Sequence, residues 1–120
     1  MTLAGHRAER IAEEIRSEVS MMLTGELGDP RLAGPLEITE VHVSPDIRQA
    51  RVFVRAPGTE TERGSTLKGL NAASTYIRRE LVERLQLRRP LEIQFLLDDS
   101  ADRVRRIDEL LGKINDPSAR

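Results

Sequence analysis

The stretch LEITEVHVSPDIRQARVFVRA, residues 36–56, decides the fold. Its second half alternates cleanly, so that Ala50, Val52 and Val54 share one face of an extended chain, with arginine and phenylalanine on the other. The first half, residues 36–43, is rich in branched residues but alternates imperfectly, which leaves a β-bulge and burial on both faces open. Because only the short segment SPDIR separates the two runs, we expect an antiparallel hairpin.

Helical patterns lie on both sides of this hairpin. Before it, apolar residues at three-to-five-residue steps predict a helix over about residues 7–26, with the stripe Ile11, Ile15, Val19, Met22 and Leu27. After it, we expect a helix from about residue 65 to 85, with the inward residues Leu67, Leu70, Ile77, Leu81 and Leu85. A third strand over residues 91–97 and a last helix follow, the latter carrying Val104, Ile107, Leu111 and Ile114.

The middle of the second helix, NAAST, is a poor helix interior. Asn71, Ser74 and Thr75 can hydrogen-bond the local backbone and compete with the helical ladder, so we expect a kink or a break into two helices there. The order α-β-β-α-(kink)-α-β-α predicts an α+β fold in which helices cover at least one face of a three-stranded sheet. We expect one domain over residues 1–120, with an ordered core of about 7–114 and a short flexible end at 115–120.

Composition narrows the classes of protein. A chain of 120 residues supports one modest core, and it has no apolar run long enough to span a membrane and no secretory signal at its start. Cysteine is absent, which excludes disulfides and thiol catalysis, so we expect a cytoplasmic protein. With one Tyr, two Phe and no Trp, RNA binding by base stacking on aromatic residues, as in an RRM, is also excluded.

The charge is polarised along the chain. The net charge of -1 argues weakly against a nucleic-acid partner, but residues 75–90 hold five Arg against two Glu, a local balance of +3. Of these, Arg78, Arg79 and Arg84 lie off the buried helical stripe, and Arg88 and Arg89 lie in the turn before the third strand. The guanidinium fork can grip phosphate with two hydrogen bonds. A solvated charged surface, with cations that complement the helix dipole, is the other interpretation.

No assembled catalytic or metal site is visible in the sequence. His6 and His42 lack partners at metal-ligand spacing, and no glycine-rich phosphate loop precedes a Lys-Ser/Thr pair. The pair Asp98-Asp99 is explained by capping of the last helix. We therefore expect no cofactor, no metal and no small-molecule substrate.

Five segments, in order, carry a family resemblance: RAERIAEEI, DPRL, VHVSPDIRQARVFV, AASTYIRREL and LRRPLEIQFLLDDS. With these segments in this order, the sequence resembles the bacterial ribosome-binding factor A family along almost its whole length. The resemblance implies a type II KH-like fold with a further C-terminal helix. It also implies that the chain binds the small (30S) ribosomal subunit late in assembly, near the neck and the 5′-terminal helix of its rRNA, and supports maturation of precursor rRNA. Such proteins are not enzymes; we expect a monomer that has no membrane partner and stabilises an rRNA conformation.

The resemblance also suggests where RNA is bound. The family has an interhelical kink of Ala-x-Gly type, which aligns with Ala73, Ser74 and Thr75; Thr75 stands in place of Gly and avoids positive φ. We carry the kink over as a location, with its backbone geometry open: Thr75 either N-caps a second helix or bends a continuous one. The expected RNA-binding residues are Arg7, Arg10, Ser74, Thr75, Arg78, Arg79, Arg84, Arg88 and Arg89. A structural role for Arg78, paired with Glu37 or Asp46, is an alternative.

Two other classes of function stay open. A protein-interaction adaptor that docks another chain through charged helices predicts weak salt dependence and no RNA in the complex. A small α+β enzyme predicts a pocket with convergent polar groups, for which the sequence offers no residues.

Overall fold

Three strands and two long helices make up the part of the chain that the computed structural model describes, residues 3–98. In chain order they are α1 (Leu3–Met21), β1 (Glu37–Val43), β2 (Gln49–Arg55), α2 (Glu60–Arg84) and β3 (Glu92–Leu97). A π-helical turn, Met22–Glu26, and a 3-10 turn, Pro30–Leu32, connect α1 to β1. The predicted last helix and the flexible end at 115–120 lie outside the described residues. None of the helices within 3–98 is long and apolar enough to cross a membrane.

Strand β2 lies at the centre of the sheet. It pairs antiparallel with β1, as the hairpin prediction required, and parallel with β3. The register between β1 and β2 shifts between Ile38 and Glu40, so the imperfect alternation of residues 36–43 reflects a β-bulge at Thr39. The Thr39 hydroxyl donates a hydrogen bond to the carboxylate of Asp98, which directly follows β3.

Both helices pack against one face of this sheet and enclose an aliphatic core. The fully buried side chains come from the two helices, the π-helical turn, β2 and the loop before β3: Ile15, Val19, Met22, Val52, Val54, Leu70, Ile77, Leu81 and Leu91. Strands β1 and β3 add the buried Ile38 and Phe95. The predicted inner face of β2 and the predicted stripe of α1 are therefore confirmed. The opposite, outer face of the sheet carries polar and charged side chains from all three strands.

The N-terminus of α2 lies five residues before the predicted one. Thr59 caps the helix: its Oγ1 accepts a hydrogen bond from the Glu62 N–H (3.2 Å), and Glu62 Oε1 accepts one from the Thr59 N–H (3.0 Å). These bonds to Thr59 lower the pKa of the Glu62 carboxyl. The sequence signal was present as T-x-x-E, the capping-box pattern, just before the predicted start of the helix.

Replacing Thr59 by alanine should lower the free energy of unfolding by about 1 kcal/mol, because the Glu62 N–H in the first turn loses its acceptor. Urea denaturation followed by circular dichroism measures this change. Thr61→Ala, an exposed substitution in the same turn, serves as the control and should leave stability nearly unchanged. Equal losses in the two variants would contradict the assigned cap.

Of the two expectations for Ala73–Thr75, a kink or a break into two helices, the break is wrong, since α2 runs as one helix from Glu60 to Arg84. The Ser74 hydroxyl does form the expected local bond, donating to the Asn71 carbonyl oxygen (2.7 Å), but the helix accommodates it. Leu70, Ile77 and Leu81 are fully buried along one side of α2. Burial of that stripe outweighs propensity deficits of a few tenths of a kcal/mol per residue.

Candidate nucleic-acid interface

Arginines from three separate segments meet where β2 and β3 begin. Arg7 of α1, Arg88 and Arg89 line a groove of about 290 Å³ together with residues 45–47 of the hairpin turn. A second groove, of about 370 Å³, lies beside it and is lined by Arg48, Gln49, Arg89, Pro90 and Glu92. Because Arg89 lines both grooves, the two form one surface. We call Arg7, Arg48, Arg88 and Arg89 the basic end.

The hairpin turn that carries Arg48 is tightly held. The Ser44 hydroxyl donates to Asp46 Oδ1 (2.7 Å) and accepts from the Gln49 N–H (3.0 Å). Ile47 adopts φ 56°, an unfavourable value for a β-branched residue, but its side chain is buried in the core. The hydroxyl bonds and the buried anchor together fix the direction in which Arg48 leaves the turn.

The loop after α2 presents Arg88 and Arg89 between two apolar anchors. The helix ends with Gln86 in the left-handed region, φ 52°, and the Leu87 N–H donates to the Val82 carbonyl oxygen (2.9 Å), as in a Schellman motif. Leu87 packs partly against the core and Leu91 is fully buried. The exposed arginines between them therefore project from a loop that is fixed at both ends.

Most cations of this surface are available to an anionic partner. Within residues 3–98, five of the predicted RNA-binding residues form no ion pair: Arg7, Arg10, Arg79, Arg88 and Arg89. Arg48 has only a long contact, 3.9 Å from its Nε to Asp46 Oδ2. The hydrogen bond from Ser44, together with the interactions of Arg48, lowers the pKa of Asp46, so this carboxylate is ionised at neutral pH and tempers the local positive charge.

Arg78 lies next to the basic end, and its ion-pair partner is neither of the two carboxylates named from the sequence. Its Nη1 lies 3.6 Å from Oε2 of Glu92, which lines the second groove. The expected partners Glu37 and Asp46 are wrong; Glu37 Oε2 instead accepts a hydrogen bond from Arg55 (3.1 Å). Glu92 is available to Arg78 because β3 runs parallel to β2, an arrangement that the sequence did not reveal.

Ser74 and Thr75 lie one turn earlier on α2, in ordinary helical backbone. Ser74 shares a side of the helix with Arg78, four residues further on, and its hydroxyl is bonded to the backbone. Thr75 is exposed and does not cap a helix. Their contact with RNA stays a prediction.

Arg84 is engaged by carboxylates on the other side of α2. Its guanidinium lies 2.6 Å from Glu26 Oε2, 3.2 Å from Glu18 Oε2 and 3.0 Å from Glu80 Oε1. The Tyr76 hydroxyl also donates to Glu26 (2.8 Å). We call these five residues the Arg84 cluster; it ties α1 and the π-helical turn to α2.

The electrostatics of the Arg84 cluster differ from those of the basic end. Hydrogen bonds from Tyr76 and Arg84 lower the pKa of Glu26, and the bonds to Glu26 and Glu18 raise the pKa of Arg84. The Arg84 cluster holds three carboxylates and one guanidinium, so its net charge is negative and it would repel an RNA phosphate. We leave Arg84 out of the proposed RNA surface for this reason.

Arg48 is the cation that sequence reasoning missed. The hairpin prediction placed it in the turn, but only the parallel register, with Gln49 opposite Glu92, places it beside Arg89.

Known proteins share the sequence of this chain over most of its length. A family model described as Ribosome-binding factor A matches residues 7–111. The chain belongs to the ribosome-binding factor A family. A ribosome-binding factor A from Acetivibrio thermocellus is 47% identical over 113 residues, which cover 94% of this chain and 89% of the relative. Another, from Thermosynechococcus vestitus, is 45% identical over 109 residues, covering 90% and 86%.

Solved structures agree with the fold. The crystal structure of ribosome-binding factor A from Thermus thermophilus matches with a TM-score of 0.58 and 26% identity, covering 80% of this chain and 97% of that one. A Thermotoga maritima protein solved by NMR in solution matches with a TM-score of 0.67 and 32% identity, covering 83% and 93%. The α+β fold with a three-stranded sheet, expected from the resemblance to the ribosome-binding factor A family, is thereby confirmed.

Proposed function

We propose that this chain is a ribosome assembly factor that binds the small ribosomal subunit in the cytoplasm and holds rRNA phosphates at the basic end. Ribosome binding is what the name of its relatives states. The small subunit, late assembly and support of precursor rRNA maturation are what the family resemblance implies. On this proposal the chain works by binding, as a monomer, and catalyses no reaction.

One observation carries the proposal. Arg7, Arg48, Arg88 and Arg89 come from three segments far apart in sequence, yet they line two adjoining grooves at one end of the sheet. Such an arrangement suits phosphate, because each guanidinium can donate two parallel hydrogen bonds to its oxygens. Arg78, Arg79 and Arg10 extend the surface along the helices in this proposal.

A sedimentation experiment with purified small subunits tests the proposal. Replacing Arg88 and Arg89 together by alanine should weaken binding about tenfold or more and reduce the dependence of log affinity on log salt by about two, one for each lost phosphate contact. The helix end and the loop anchors Leu87 and Leu91 are untouched, so the fold should be retained.

A charge-matched variant controls for the loss of two cations. Arg16→Ala combined with Lys68→Ala removes the same charge from exposed sites that line neither groove, and it should bind subunits almost as the parent does. Large subunits serve as the second control. Salt-insensitive binding of the parent, unaffected by loss of Arg88 and Arg89, would contradict the proposal and favour the adaptor.

A further inference from the structure

A row of three planar polar side chains crosses the outer face of the sheet. His42 of β1 lies opposite Arg51 of β2, and Arg51 lies opposite Gln94 of β3. All three are exposed. Since neighbouring strands are about 4.8 Å apart, the row extends about 10 Å across the sheet. We call His42, Arg51 and Gln94 the planar row.

The planar row is continuous with the basic end. A groove of about 330 Å³ runs between β2 and β3 and is lined by Gln49, Ala50, Arg51, Glu92, Ile93 and Gln94. It shares Gln49 and Glu92 with the groove that Arg48 and Arg89 line. An extended ligand that enters at the basic end can therefore continue along the adjoining groove to Arg51 and Gln94 of the planar row.

The side chains of the row are suited to nucleobases. A guanidinium and an imidazole offer flat surfaces on which a base can stack, and Gln and Arg offer paired hydrogen-bonding groups for base edges. The ring of His42 is held by two neighbours: Nε2 lies 3.3 Å from Glu40 Oε2, and Phe53 packs edge-to-face at 5.7 Å. The sheet thus offers flat stacking groups although the chain has few aromatic residues.

We infer that the outer face binds unpaired nucleotides of single-stranded RNA, with their phosphates at Arg48 and Arg89 and their bases on the planar row. This inference rests on the proposed function and adds a base-contacting surface to it. Base-paired RNA does not fit the role, because its Watson–Crick edges are already used and its deep major groove hides the bases. Charge also favours RNA over an acidic or neutral peptide: Arg48, Arg51 and Arg89 surround the grooves, and the lining carboxylate of Glu92 lies beside Arg78.

Fluorescence anisotropy with labelled RNA tests the inference directly. The probes are oligouridylate and oligoadenylate of about ten nucleotides, and a G·C-rich RNA duplex of about twenty base pairs, which stays paired at the low concentrations of the assay. The test variant combines Arg51→Lys, which keeps the charge but removes the planar fork, with Gln94→Ala. We expect about a tenfold loss of affinity for the single strands, an unchanged salt slope and no change for the duplex.

A matched variant makes the same two kinds of change elsewhere. Arg16→Lys with Asn71→Ala alters exposed residues of α1 and α2, outside all three grooves, and should bind like the parent. Circular dichroism spectra identical to the parent's establish that both variants are folded.

The outcomes separate this inference from the proposed function. Undiminished single-strand binding in the planar-row variant would overturn the inference, while loss of subunit binding in the Arg88 and Arg89 variant would still support the basic end. Equal losses for single strands and duplex would also overturn it, since backbone contacts alone would then explain the change. If the parent bound neither the RNA probes nor the subunits, both the inference and the proposed function would be wrong.

Discussion

Replacing Ile15 by alanine should lower the free energy of unfolding by about 2–5 kcal/mol. Ile15 is fully buried on the stripe of α1 that packs against the sheet. The truncation removes apolar surface from the core and leaves a cavity that neighbouring side chains only partly fill. Because small domains are stable by about 5–15 kcal/mol in total, the loss is a large share of the whole.

Chemical denaturation in urea, followed by circular dichroism, gives the size of this effect. Ile15→Val provides a graded comparison and should cost only about 0.5–1.5 kcal/mol, since it removes one methyl group. The slope of unfolding free energy against urea should stay the same in both variants. A loss below about 1 kcal/mol for Ile15→Ala would mean that the helix does not pack on the sheet as described.

Replacing Arg84 by methionine should reverse the direction in which the Arg84 cluster makes the free energy of unfolding change with pH. In the parent, the pKa of Glu26 is below its ordinary value of 4.5, so its contribution is present above that value and is lost as pH falls through the lowered pKa. Without the guanidinium, Glu26 loses one of the hydrogen bonds that lower its pKa and faces the like charges of Glu18 and Glu80, so the pKa of Glu26 rises. The variant should therefore be least stable, relative to the parent, near neutral pH.

Thermal unfolding between pH 3 and pH 7 checks the sign. The midpoint of the variant should lie several degrees below that of the parent near neutral pH, and the difference should shrink as the carboxylates take up protons. Arg79→Met removes a cation that has no ion-pair partner within residues 3–98 and is the control. The assigned role of Arg84 would be wrong if the two variants showed the same pH dependence.

Local patterns in the sequence predicted the helices and strands well, but they did not predict which distant segments pair with one another. Alternation in residues 49–55 and the stripe through Ile15 and Val19 predicted which faces are buried, because burial imposes those periods directly. A kink or a break into two helices was expected at Ala73–Thr75 from local propensity, and tertiary burial of Ile77 and Leu81 kept α2 as one helix.

In the candidate site, too, some residues were predicted from the sequence and others depend on contacts between distant segments. Arg7, Arg88 and Arg89 were predicted from charge and the family resemblance, and the structure places them together. The engagement of Arg84 by Glu18 and Glu26, 66 and 58 residues away, could not be read from helical periodicity. Arg48 likewise depends on the parallel pairing of β2 with β3, for which the sequence contains no local signal.

The parallel pairing of β2 with β3 also governs when the protein acquires its surface during synthesis. Gln49 pairs with Glu92, and α2 lies between the two strands in sequence, so the contact requires a chain synthesised through β3. A nascent chain that ends at residue 84 can form α1 and the hairpin, but it lacks Arg88 and Arg89. The basic end is therefore complete only after the chain has been synthesised through β3, and shorter nascent chains lack it.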